Sequence, residues 1–238
     1  MHKTYGSVVS CMLALLLAAP ANALDLNKSI NVAAGTQAGG QSTVNGSISV
    51  GEGAVIDGSL ETVNGSIRVD ENVTLEDAET VNGTIRIASG SSADDVSSVN
   101  GSIRLGEKVN VRGAIDVVNG KISLDAGTKV SDDVSNVNGE IILTAAEVGG
   151  DLSTVNGDVT LDAGSTLHGD LVVEKPGGWG WHDEKRKPKV IIGRDSRVLG
   201  SLVLEREVEL YIHETAEVGG VSGEMKLADA IRFSGDRP

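Results

Sequence analysis

At 238 residues, with a formal charge of −14 and aromatic side chains at only 2% of the chain, the sequence excludes several classes before any motif is read. Such acidity disfavours nucleic acid and anionic lipid as partners and favours solubility, basic partners or cations. So few rings poorly supply the core of a conventional globular domain of this size, but a narrow interior filled by Val, Ile, Leu and Ala does not need them.

Residues 1–23 read as a cleavable export signal. Lys3 supplies the positive n-region, Val8 to Ala19 the apolar h-region, and Ala21-Asn22-Ala23 an A-x-A site that places cleavage before Leu24. Cys11, the single cysteine, lies within the h-region rather than at a lipoprotein site, so the processed chain holds together without disulfides. Loss of Lys3 takes the formal charge from −14 to −15. No later apolar run approaches the ~20 residues needed to cross a bilayer. The expectation is a periplasmic or secreted protein of a bacterial envelope, with no membrane span and no nucleic-acid partner.

After a lead-in or cap over 24–40, a repeat occupies 41–174. Val-Asn-Gly recurs at Val44, Val63, Val81, Val99, Val118, Val137 and Val155, at intervals of 18 or 19 residues. So regular a period means one supersecondary unit stacked on itself. Each copy is followed by an alternating run: Ser47-Ile48-Ser49-Val50, Ser66-Ile67-Arg68-Val69, Thr84-Ile85-Arg86-Ile87 and Ser102-Ile103-Arg104-Leu105, then Lys121 to Leu124 and Asp158 to Leu161. Period-two alternation with β-branched residues reads as a strand with one buried face. A second, mostly apolar column lies three residues before each valine, at Leu60, Ala78, Val96, Ile115, Val134 and Leu152.

Asn-Gly between apolar runs is a strong hairpin signal. A hairpin would put Val63 opposite Ser66, on a polar face with Glu61 and Arg68. A β-helix instead lets the chain bend near Asn-Gly, with the valine inward on one side and the following isoleucine inward on another. Coils then stack in parallel about 4.8 Å apart, and Asn45, Asn64, Asn82, Asn100, Asn119, Asn138 and Asn156 form a side-chain amide ladder. The reading is all-β: a single parallel β-helix (β-solenoid) of about ten coils of 18–19 residues, ~45–50 Å long. The general preference for right-handed crossovers makes it right-handed. If its ends are uncapped, end-to-end association with copies of itself follows.

The repeat is interrupted over 175–189, a loop holding both tryptophans beside a run of basic residues. Less regular coils occupy 190–227, where Ile192 to Val198 and Ile212 to Val218 are similar to hexapeptide signatures, and 228–238 is a polar tail. The stretch 28–225 resembles the bactofilin-type, polymer-forming β-helix proteins, whose short coils are rich in Gly and Val. It is also similar to the toastrack-type repeats of bacterial adhesins, with strings of V-x-G-x-[IV]-x-[VIL]. The resemblance implies a structural or surface-interaction role. Bactofilins are typically cytoplasmic or membrane-tethered, whereas this chain carries an export signal.

Few residues suggest chemistry. Trp179, Trp181, His182, Lys185, Arg186 and Lys187 of the inserted loop are candidates for contact with a partner or glycan, because Trp and Arg offer large rigid surfaces. The plainer alternative packs that loop against the coils. Asp77, Asp95, Asp133, Asp151 and Asp170 form a carboxylate column, weak candidates for a metal such as Ca²⁺. One column struggles to supply six to eight oxygens, so a solvated acidic edge is the preferred reading, with no cofactor. Arg68, Arg86 and Arg104 form a basic column that Glu61 and Glu79 are placed to neutralise. Asn45, Asn64, Asn82 and Asn100 fit the N-x-[ST] acceptor pattern, but a laddered amide is not free for glycosylation. His168 and His213 are remote candidates for catalysis between coils; no nucleophile accompanies them. The expectation is a non-enzymatic, self-associating or envelope-binding rod. The alternative is a glycan-binding, adhesin-like module using the Trp loop, and a carbohydrate-active enzyme is more distant still.

Overall fold

The computed structural model describes residues 26–177 and 186–238. These residues form 26 short β-strands and one 3₁₀ turn at Leu227–Asp229, with no α-helix among them. Every strand pairing joins one coil to the next in parallel, so the chain is the expected β-solenoid of about ten turns. Stacking begins at Ile30, within the segment read as a lead-in, and ends with Ile231–Phe233, within the segment read as a polar tail. Leu161 pairs with Ile192 across the inserted loop, so the stack continues past it in register.

Each coil has three faces. The first is the alternating run after Asn-Gly: Ile48–Val50, Ile67–Val69, Ile85–Ile87 and their successors form one eleven-stranded sheet. Outer residues of these strands face solvent while the flanking aliphatics are buried, as in Ile67 and Val69 around exposed Arg68. The third face is the run that enters the bend, such as Ala78–Asn82 and Val96–Asn100. Between them lies a second face of two-residue strands, among them Ser92–Ala93, Asn110–Val111 and Lys129–Val130. Sequence reading missed these strands, since two residues between glycines and acids carry no visible alternation. The long strands Val55–Thr62 and Arg197–Leu204 run around the corner between the second and third faces and join their strands into one network.

The interior is a stack of aliphatic side chains. Ile67, Ile85, Ile103, Ile122 and Ile141 follow one another in register and are fully buried. Burying such a side chain contributes about 1.5–3 kcal/mol.

One expectation fails at the bend. The Val-Asn-Gly valines do not point inward: all but Val155 are half-buried at the corner. Alternation decides this. With Leu60 and Ala78 inward, the next inward positions are Thr62 and Thr80, and the valine falls on the outer phase. The buried hydroxyls have a task there, because the backbone at the bend turns a glycine carbonyl inward, where it needs a donor. Thr62 Oγ1 donates to the Gly46 carbonyl at 2.9 Å, Thr80 to Gly65 at 3.0 Å, and the Asn136 amide to Gly120 at 2.9 Å.

Glycine follows asparagine because of close approach between coils. A Cβ at Gly65, Gly83, Gly101 or Gly120 would land on the carbonyl oxygen of the glycine one coil earlier. Gly83→Ala must therefore push two coils apart, and we expect it to destabilise the protein by several kcal/mol. Gly39→Ala, whose Cβ meets nothing within 4 Å, should stay within about 0.5 kcal/mol of the parent. Urea unfolding of both variants checks this; equal losses would contradict the stacking account.

Candidate functional site

The polar side chains on the outside of the solenoid fall into columns, and each column is a candidate surface. The asparagine column is the longest. Asn45 Nδ2 donates to Asn27 Oδ1, and the same bond recurs at Asn64, Asn82, Asn100, Asn119, Asn138 and Asn156, at 2.8–3.1 Å. The predicted ladder thus exists, extended by one rung at Asn27. All its amides donate toward the N-terminal end, leaving the Asn156 oxygen as the last acceptor.

Arg206 fills that position. By register, Leu204 lies over Val173 and Val173 over Thr154, so Arg206 occupies the asparagine column. Its Nη1 donates to Asn156 Oδ1 at 2.9 Å and to the Val155 carbonyl at 3.3 Å, and its Nη2 to the Arg186 carbonyl at 3.2 Å. Arg186 in turn pairs with Asp158 at 2.5 Å, and Lys187 pairs with Glu207 at 2.5 Å. The C-terminal stem of the inserted loop is therefore clamped beside the end of the ladder. Sequence reading missed Arg206; the signal was its place two residues after an inward leucine, as Asn156 stands two after Thr154. Of the loop candidates, Arg186 and Lys187 bind the rod itself, and Trp179, Trp181, His182 and Lys185 lie outside the described residues.

The aspartate column serves the backbone. Asp77 accepts the Asp95 N–H at 3.1 Å, Asp95 that of Ala114 at 2.7 Å, Asp133 that of Asp151 at 2.8 Å, Asp151 that of Asp170 at 2.7 Å, and Asp170 that of Ser201 at 2.7 Å. These carboxylates bind the next coil's amide at the corner between the second and third faces. Among the described residues no group of three or more His, Cys, Asp and Glu side chains is arranged to hold a metal ion.

The two histidines are far from sharing a task. His168 Nε2 lies 2.9 Å from Glu147 on the surface, where Lys129 and then His168 hold the Glu147 carboxyl below its ordinary range. His213 is buried against the edge of Phe233, its Nδ1 2.9 Å from Thr215 Oγ1. His168 thus meets a carboxylate and His213 a hydroxyl.

Glu61 and Glu79 do not neutralise the arginine column. Glu61 stacks on Glu79 on the third face, while Arg68, Arg86 and Arg104 stack on the first. The neighbours perturbing the glutamates are acids. Burial pushes the Glu79 carboxyl up to about 7, reinforced by Glu61, Asp77 and Asp95, and burial followed by Asp77 raises Glu61. Among the described residues none of the three arginines forms an ion pair.

No family model, curated protein or solved structure matches this chain. No helix among the described residues is long and apolar enough to cross a membrane.

The glutamate stack has a pH consequence. A carboxyl raised in the folded state binds its proton more tightly there than in the unfolded chain. Its stabilising contribution is complete below the ordinary value near 4.5 and is lost as pH rises toward 7. Glu79→Gln should stabilise the protein at pH 8 by on the order of 1 kcal/mol once solvent screening is counted, seen as a higher Tm, and leave Tm at pH 4 unchanged. A thermal melt series from pH 4 to 8 tests this; parallel profiles for the two proteins would contradict it.

Proposed function

We propose that this chain is an exported, non-enzymatic structural rod of the bacterial envelope, acting in the periplasm or outside the cell by binding copies of itself or another envelope component. The observation that carries this reading is the contrast between the middle of the rod and its N-terminal end. Along the rod, the laddered asparagines, the aspartate column and the inward Thr62 and Thr80 hydroxyls bind the neighbouring coil. At the first coil, strands Ile30–Val32 and Gln37–Thr43 pair with the coil above, and no other strand of the described residues lies on their second side. Ile30 donates to the Ser47 carbonyl and Val32 accepts from Gly51, so Asn31 turns its N–H and C=O to the unpaired side. Such an edge is a template for another strand. The resemblance to bactofilin-type polymers and toastrack-type adhesins agrees with this role.

A second reading has one supporting observation. Arg186, Lys187 and Arg206 anchor the C-terminal stem of the segment that carries Trp179 and Trp181 to the rod, which suits a glycan-binding module that uses those tryptophans. Trp179→Ala with Trp181→Ala would then abolish glycan retention without changing assembly.

The test of the rod reading is light scattering across concentration on the purified parent chain and on Asn31→Pro, which deletes an edge N–H that the stack does not use. The parent should grow with concentration, and Asn31→Pro should do so less while keeping its melting temperature. A parent that stays monomeric at every concentration would overturn self-association.

A further inference from the structure

The rod carries two charged ladders whose charges the stack leaves unmatched. Arg68, Arg86 and Arg104 are exposed and lie in register on three successive coils, bounded by Ser49 below and Ser123 above. Glu61 and Glu79 lie in register on the third face, bounded by Ser42 and Ser97. Glu61 and Arg68 belong to one coil, as do Glu79 and Arg86, and the coil of Arg104 carries Ser97 at the corresponding position. Both ladders therefore have the same spacing, about 4.8 Å, at the same height on the rod. The two faces meet at the Asn-Gly bend and point in different directions, so the ladders of one molecule do not meet. Like charges stacked at this distance repel, and among the described residues neither ladder has an opposite charge paired with it.

We propose that rods associate side by side, with the Arg68–Arg86–Arg104 ladder of one chain seated on the Glu61–Glu79 ladder of a second copy. This rests on the reading of the chain as a self-associating rod and adds a lateral contact to its ends. In parallel alignment a single displacement seats Arg68 on Glu61 and Arg86 on Glu79, and Arg104 comes opposite Ser97, which follows Glu79 in register. The second copy is favoured over an anionic polymer because the complementary ladder, with the required period and height, is present on the chain itself. The contact joins unlike faces, so a pair keeps one free ladder of each sign, the glutamates on one rod and the arginines on the other. The assembly closes into a ring or extends into a layer, according to the angle between the faces.

Sedimentation velocity on the full chain tests this with two neutralised variants, R68Q/R86Q/R104Q and E61Q/E79Q, both in the Asn31→Pro background to remove end growth. The unneutralised Asn31→Pro chain should associate, and 1 M salt, where the Debye length is about 3 Å, should disperse it. Each variant alone should associate at least about tenfold more weakly. Mixed one to one, they should form a pair and stop there, because each supplies one functional ladder. Circular dichroism melts confirm that both variants fold. Association unchanged in both variants, or no pairing in the mixture, overturns the side contact and leaves the end contact standing. A parent chain monomeric under all conditions overturns both. Arginine-dependent retention on a sulfated polysaccharide column without self-association also overturns the proposal, and assigns the ladder to an anionic polymer.

Discussion

Stacking in register forces every residue to be its own neighbour. A side chain repeated every 18 or 19 residues meets its counterpart about 4.8 Å away, so a position persists easily when its side chain complements a copy of itself. Aliphatic residues do so by packing. Asparagine does so through an amide that donates downward and accepts from above, eight residues long from Asn27 to Asn156. Glycine does so by letting one bend sit directly on the carbonyl of another. Aspartate manages it because each carboxylate binds the backbone of the next coil, not another carboxylate.

The same constraint marks where the rod is not self-sufficient. An arginine over an arginine, or a glutamate over a glutamate, does not complement itself, and burial against like charges raises the Glu79 carboxyl to about 7. The ends are the other place where the repeat is incomplete. At one end of the ladder Arg206 substitutes a guanidinium for the missing asparagine and at the same time secures the loop stem. Unlike an interior coil, the first coil keeps one backbone edge without a described partner strand. The proposed interactions follow from these two kinds of unfinished column.

Most of the architecture was legible because the repeat states it many times. Period-two alternation gave the first face, the 18–19 spacing gave the coil, and the asparagine column gave the ladder. The valine was misplaced because its hydrophobicity was weighed above the phase of Leu60 and Ala78, which assigns the interior to Thr62 and Thr80. Two-residue strands such as Ser92–Ala93 are too short for a period to show. The pairing of Glu61 and Glu79 with the arginines failed because seven residues along the chain cross a bend onto another face. Arg206 escaped notice because its role depends on register across the inserted loop, which the chain's own spacing does not display.

The bends, as much as the strands, are bonded coil to coil. Residue-resolved amide hydrogen exchange tests it most directly. The N–H groups of Asn82, Gly101, Gly120 and Asn156, and those of Ala114, Asp151 and Asp170 bound to carboxylates, lie at corners facing water yet have partners in neighbouring coils. They should exchange as slowly as the strand amides of Ile85 and Ile103. Exchange at the bends approaching that of exposed loops, with protection confined to the strands, would contradict the account.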